Sequence, residues 1–133
     1  MISRTVLVAD DEEEILDVMV KKVASEGYNV VRAVDGEDAW EKVKNSNPDI
    51  IVLDLNMPKM HGFEVLRLVR ENPLVQRWQP VIIVSAQNEL ADIQKGYSLE
   101  ADHYIAKPCT MTDIIKAIKL MENLIPQRVE DDK

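Results

Sequence analysis

The sequence predicts a doubly wound α/β fold in which helices cover both faces of a five-stranded parallel sheet. Three observations carry this expectation. Five short segments are dense in β-branched and aliphatic residues, segments of helical periodicity lie between them, and the two kinds alternate five times. Continuous apolar runs of this length suit strands buried on both faces. Parallel neighbours then require right-handed helical crossovers.

The predicted strands are Thr5 to Ala9, Tyr28 to Ala33, Ile50 to Leu53, Pro80 to Val84 and His103 to Ala106. After the first, Ile15, Met19 and Val23 form a helical stripe. Glu12, Glu13 and Glu14 fall in its first turn, where the helix dipole favours acids, and Gly27 ends it. A second helix starts at Asp35, three residues before Asp38, turns Ala39, Trp40 and Val43 inward and stops before Pro48. The third follows Gly62, packs Phe63, Leu66 and Val69 and halts near Pro73. A weaker helix is expected from about Asn88 to Tyr97. In the last, Thr110 caps a stripe of Met111, Ile114, Ile118 and Met121, and Pro126 ends it.

A chain of 133 residues is long enough for one core and leaves no room for a second domain of ordinary size. One domain over 1–125 is expected, with 126–133 as a polar tail or the start of a linker. Acidic residues outnumber basic ones 24 to 16, a net charge of -8 that repels a phosphate backbone and argues against direct nucleic-acid binding. Cys109 is the only cysteine, so no internal disulfide can form, and it reads as inert packing. The start MISRTVLVADDEEE reaches acids too soon for a signal peptide, and no apolar run approaches the ~18 to 20 residues that span a bilayer. A cytoplasmic protein with no membrane contact is the expectation.

In an open α/β sheet, ligands bind beyond the carboxyl ends of the strands, where the strand order reverses. The strong polar candidates collect there. Asp10 and Asp11 close strand one, Asp54 strand three and Ser85 strand four, while Lys107 follows strand five. Three carboxylates crowded at one edge repel one another and raise their own pKa values unless a cation neutralises them. An all-oxygen donor set favours a hard ion such as magnesium.

The runs VADD at 8–11, DLNMPKMHG at 54–62, SA at 85–86 and YIAKP at 104–108 resemble the receiver domain of bacterial two-component response regulators. The resemblance covers roughly Thr5 to Ile125. It implies a flavodoxin-like strand order 2-1-3-4-5, with strand two at the edge. It implies further that Asp54 is the phosphoacceptor, and that Asp11, Asp54 and the backbone carbonyl of Asn56 ligate Mg2+, with Mn2+ able to substitute, while Asp10 acts largely through water. Lys107, the Ser85 hydroxyl and the Ala86 backbone NH would donate to the phosphoryl oxygens. The Lys107–Pro108 bond is expected to be cis. Asn56 and Gln87 would tune dephosphorylation. Ser85 drawn toward the phosphoryl group would vacate space into which Tyr104 turns, altering the surface of the fourth helix, fifth strand and fifth helix. The implied partners are a histidine kinase or histidine phosphotransfer protein and a downstream protein, an output domain or a second copy docking on that surface near Tyr104, Lys95 and Lys116.

Blander roles compete for several of these residues. Asp10 and Asp11 could cap the first helix, Asp54 and Lys107 could form a buried ion pair, Ser85 could be a satisfied strand end and Tyr104 a strand aromatic. His61 and His103 read as surface residues in no metal-ligand spacing, and Trp40 and Trp78 as packing residues. Two positions depart from the family pattern: Glu100 stands where a glycine commonly precedes Ala-Asp, and Cys109 replaces a common phenylalanine. Two other functions compete with this reading. A phosphatase of the haloacid-dehalogenase type would carry its nucleophile on strand one in an Asp-x-Asp pattern, whereas Asp10 and Asp11 are adjacent. A pseudo-receiver that only binds proteins would lack some of the five chemical positions, and all five are here. The expectation is a regulatory phosphoacceptor, acting on no substrate but itself.

Overall fold

The computed structural model describes residues 3–73, 75, 77–86 and 90–125. Five strands, β1 (Thr5–Ala9), β2 (Asn29–Ala33), β3 (Ile50–Leu53), β4 (Val81–Ser85) and β5 (His103–Ala106), alternate with five helices. The helices are α1 (Glu13–Ser25), α2 (Gly36–Ser46), α3 (Gly62–Glu71), α4 (Leu90–Ser98) and α5 (Met111–Leu124). All strand pairs are parallel, in the order β2-β1-β3-β4-β5. The order reverses at β1 and β3, so their carboxyl ends flank the crevice where this architecture binds ligands.

The central strands are apolar because both their faces are covered. Val6, Val8, Val52 and Ile82 face a core completed by Leu16, Met19 and Val23 of α1 and Ile114 and Ile118 of α5. Leu7, Ile51, Leu53 and Ile83 face the other way, onto Ala39 and Val43 of α2 and Val65, Leu66 and Val69 of α3. Of the three inner strands, β3 and β4 are buried throughout and β1 at every residue but Thr5. β2 and β5 are edges and are partly exposed, so the expectation of two-sided burial fails for them.

On α1 the buried stripe is Leu16, Met19 and Val23, while Ile15 is 38 % exposed. Ile15 and Leu16 both keep helical spacing to Met19 and Val23, and the sheet selects Leu16. Trp40, Phe63 and Met111 are half-buried against the rims of the two cores instead of inside them. Capping follows the sequence at α2, where the Asp35 carboxylate accepts from the Asp38 NH at 2.7 Å and left-handed Asn47 (φ 48°) ends the helix before Pro48. Thr110 and Asp113 form a reciprocal capping box on α5. His61 is exposed, as expected, and also caps α3, its Nδ1 accepting from the Phe63 NH at 3.1 Å. The fourth helix is described from Leu90, so its expected start at Asn88 lies outside the described residues, as does the tail 126–133.

Glu100 has φ +68°, in the left-handed region that glycine occupies at least cost. The Arg70 guanidinium grips this turn, donating to the Glu100 carbonyl at 2.7 and 2.9 Å and to Asp102 at 2.6 Å. The glycine common at this position therefore has a backbone reason. No described helix is long and apolar enough to cross a membrane.

Candidate functional site

The chain direction at the ends of β1 and β3 is fixed by ladder bonds that continue one residue past each strand. The Asp54 NH donates to the Ala9 carbonyl at 3.1 Å, and the Asp10 NH to the Ala33 carbonyl at 3.2 Å. Both carboxylates thus sit at the carboxyl edge, Asp10 1 % and Asp54 7 % exposed, with Asp11 exposed beside them. Ligand-capable oxygens of Asp10, Asp11 and Asp54 all lie within 4.8 Å of one another.

Lys107 reaches into this group from the residue after β5, its backbone held by an NH bond to the Ser85 carbonyl at 2.9 Å. Its Nζ lies 3.2 Å from Asp10 Oδ2 and 3.5 Å from Asp54 Oδ2. The Lys107–Pro108 peptide bond is cis. The ion pair weighed from the sequence joined Lys107 to Asp54 alone, whereas Asp10 is the nearer partner. Asp10 Oδ1 also accepts from the Glu12 NH at 2.9 Å, so this carboxylate steadies the approach to α1 as well as the ammonium. Asp54 Oδ1 accepts from the Asn56 NH at 3.3 Å.

Burial is the largest influence on Asp54 and, with the neighbouring charge of Asp10, holds its pKa above the ordinary carboxylate value although Lys107 and the Asn56 NH oppose them. For Lys107, burial pulls the pKa down, but the charges of Asp54 and Asp10 and hydrogen bonds to both outweigh it, and the ammonium is favoured. Three carboxylates against one ammonium leave a formal charge of about two negatives when all are ionised. Excess charge of that size, on oxygens, fits a hard divalent cation, and the exposed Asp11 gives it an open side.

A tight backbone stands behind Asp54. A Cβ on Gly62 would come within 2.5 Å of the Asp54 carbonyl oxygen and 2.7 Å of Leu55 Cα. Gly62 thereby lets the start of α3 close against the acceptor's own backbone. The sequence offered Gly62 only as a helix start, and nothing in its spacing indicated this contact.

Ser85 is fully buried at the end of β4, and Ala86 beyond it is exposed at the crevice. Burial is the largest influence on Tyr104 on β5 and raises its pKa, with the charge of Asp92 adding to it and the nearby Ser85 hydroxyl opposing it. Tyr104 pairs with Ile83 in the ladder, so its ring shares a face with Ile83 and Ser85 and lies against α4 at Gly96. Of the expected site residues, Asp10, Asp11, Asp54 and Lys107 form one cluster, Asn56 bonds to Asp54, and Ser85 and Tyr104 form a second unit. Gln87 lies outside the described residues. Cys109 is half-buried against the core, and burial followed by the nearby Asp113 raises its thiol pKa.

Comparison with known proteins agrees with this arrangement. The model of the response regulator receiver domain matches residues 6–119. The alkaline phosphatase synthesis transcriptional regulatory protein PhoP of Bacillus subtilis is 35% identical over 117 residues, which cover 88% of this chain and 48% of that protein. Response regulator GtcR of Aneurinibacillus migulanus is 36% identical over 118 residues, covering 88% and 47%. The chain therefore spans about half the length of these curated relatives. Among solved structures, the receiver domain of Francisella response regulator 1452 superposes with a TM-score of 0.83 at 29% identity, covering 91% of this chain and 98% of that one. Vibrio cholerae chemotaxis protein CheY4 does so with a TM-score of 0.83 at 27% identity, covering 90% and 99%. Receiver domains generally bind Mg2+ in an acidic pocket, and the Asp10–Asp11–Asp54 cluster could hold such an ion. The matched span, the shared strand order and the acidic crevice at its reversal point agree, and the chain belongs to the response regulator receiver domain family.

Proposed function

We propose that the chain is a phosphorylation-controlled switch whose Asp54 accepts a phosphoryl group from a phosphohistidine on a histidine kinase or histidine phosphotransfer protein. The observation that carries this reading is the buried Asp54 carboxylate set among two further carboxylates and the Lys107 ammonium. One Asp54 oxygen forms the new bond to phosphorus while the phosphorus–nitrogen bond breaks and its electron pair returns to the imidazole, which takes up a proton. Lys107 would carry positive charge to the phosphoryl oxygens, and the Ser85 hydroxyl and Ala86 NH would donate to them as charge spreads in the transition state. Asp10, Asp11, Asp54 and the Asn56 carbonyl would hold Mg2+, which when bound offsets negative charge on the carboxylates and phosphoryl oxygens. Asn56 and Gln87 would tune loss of the phosphoryl group to water.

An apolar groove of about 710 Å³ opens beside this site, lined by Ile15, Val18, Met111 and Pro108 together with Lys107. Val18 is 56 % exposed, an apolar position open to a partner. The groove is continuous with the acceptor through Lys107, which suits docking of the donor segment that carries the phosphohistidine. Output would leave by α4, β5 and α5. Tyr97, Leu120 and Leu124 are exposed apolar residues of α4 and α5, and Tyr104, Lys116 and Leu120 line a second recess between β5 and α5. A downstream protein, an output domain or a second copy would dock there, with Lys95 close by. Residues 1–125 would form the receiver domain and 126–133 its tail or the start of a linker, in keeping with relatives about twice as long.

Incubation with acetyl phosphate and Mg2+ tests the reading by intact mass. The wild type should gain one phosphoryl group and Asp54→Asn none, and equal gain in both would remove Asp54 as acceptor.

A further inference from the structure

Gly96 lies inside α4 and is buried. Glycine is the poorest helix former after proline, so a glycine within a helix, even in its last turn, calls for a reason. Backbone conformation does not supply one: among the described residues the only glycine with positive φ is Gly27, and Gly96 keeps a backbone that any residue adopts. The surroundings do supply one. A Cβ at position 96 would lie 3.2 Å and 3.3 Å from Cδ2 and Cε2 of Tyr104 and 3.4 Å from Ile83 Cδ1. These separations are short enough that the aromatic ring, which moves as a rigid plate about χ1, would have to give way.

We infer that Gly96 is a positioning residue of the switch, its bare Cα giving the Tyr104 ring the room to lie against α4 on the sheet face it shares with Ser85. The inference rests on the switch reading above only for its signalling consequence; the packing relation stands without it. Space at residue 96 sets the balance between the ring turned toward Ser85 and the ring turned away. It also fixes the height of α4 over β5, because Gly96 carries the turn that follows the helix: its carbonyl accepts from the Leu99 NH at 3.2 Å and the Ala101 NH at 3.0 Å. A side chain here therefore acts both on the ring and on the α4 surface that a partner would read.

The test compares wild type, Gly96→Ala, Tyr104→Ala and the double variant. Tyr104 χ1 populations are measured by NMR couplings in untreated protein, melting temperatures in all four, and spectral changes on adding beryllofluoride and Mg2+. Gly96→Ala should lower the population turned toward Ser85 several-fold and shrink the beryllofluoride response at α4 and β5. In the Tyr104→Ala background the same alanine should raise the melting temperature, since the ring is gone and helix propensity alone remains. Failure of Gly96→Ala to fold beside a folded double variant would support the inference equally. An unchanged Tyr104 rotamer, or the same melting shift with and without the ring, would overturn it. Absence of any beryllofluoride response in wild type would instead sink the switch reading, leaving the rotamer and melting data to decide Gly96.

Discussion

Ser85 and Tyr104 lie on the same face of neighbouring strands, which joins the crevice end of β4 to the ring that lies under α4. A serine hydroxyl donates once and accepts through two lone pairs. Its one donated bond can therefore go to a phosphoryl oxygen on Asp54. The proposed relay is that Ser85, drawn toward a phosphoryl oxygen on Asp54 by a charge-assisted bond, vacates space into which Tyr104 turns.

This relay predicts graded losses. A coupling of about 1 to 3 kcal/mol changes the ratio of two states roughly 5- to 150-fold. Ser85→Ala should still bind beryllofluoride but lose most of the response in partner binding or dimerisation. Tyr104→Phe, which keeps the ring and loses the hydroxyl, should lose less. A full response in Ser85→Ala, read by titration of a partner or by the sedimentation of dimers, would mean that the signal leaves Asp54 by another route.

Burial holds the Asp54 pKa above its ordinary value, so ionising this group opposes folding in the metal-free protein. The sign follows from linkage: an acid raised in the folded state disfavours folding above its unfolded pKa, and that cost disappears as pH falls and the carboxyl is protonated. Asp54→Asn should therefore raise the metal-free melting temperature at neutral pH by a few degrees, of the order expected for ~1 kcal/mol. The gain should fade under acid. Mg2+ should stabilise wild type and have much less effect on Asp54→Asn or Asp11→Ala, as melting curves at several magnesium concentrations will tell.

At the opposite end of the sheet, Glu100 holds φ +68° with an exposed side chain. A left-handed conformation costs a residue with Cβ roughly 1 to 2 kcal/mol, offset in part by the greater freedom glycine gains on unfolding. Glu100→Gly should leave stability unchanged or raise it by up to about 1 kcal/mol, and Glu100→Val should lower it. Arg70 binds the carbonyl at this position and loses nothing in either variant. Chemical denaturation of the pair measures both signs.

The groove beside Lys107 separates two routes to the same phosphoprotein. Val18→Asp places a charge in an apolar contact surface away from the carboxylates, so transfer from a phosphorylated partner protein should fall about tenfold or more, as for a lost contact of ~1.4 kcal/mol. Transfer from acetyl phosphate, which needs no such surface, should be unchanged. Equal loss with both donors would place Val18 in the folding of the site instead of its recognition.

Most of the architecture was legible in sequence because apolar runs and helical spacing respond to the same sheet that buries them. Pro48 and Thr110 marked a helix end and a helix start by local chemistry that tertiary contacts did not override. The carboxylates and Lys107 were legible for a different reason: each stands within two residues of a strand's end, and parallel strands bring those ends together. What the sequence could not give depends on distance. Ile15 and Leu16 have near-equivalent spacing, and only packing chose Leu16. That Asp10 would be the nearer partner of Lys107, that Gly62 backs onto the Asp54 carbonyl and that Gly96 makes room for Tyr104 are meetings of residues remote in the chain, with no periodicity to announce them.

The central claim is that Asp54, among several neighbouring carboxylates, forms the acyl phosphate. Reduction of the phosphorylated protein with tritiated borohydride converts an acyl phosphate to a stable labelled alcohol, and peptide mapping then locates it. After treatment with acetyl phosphate and Mg2+, label should fall on the residue at position 54 and be absent when magnesium is chelated. Label at Asp10 or Asp11, or an acid-stable phosphate on Ser85 with none at position 54, would contradict the account.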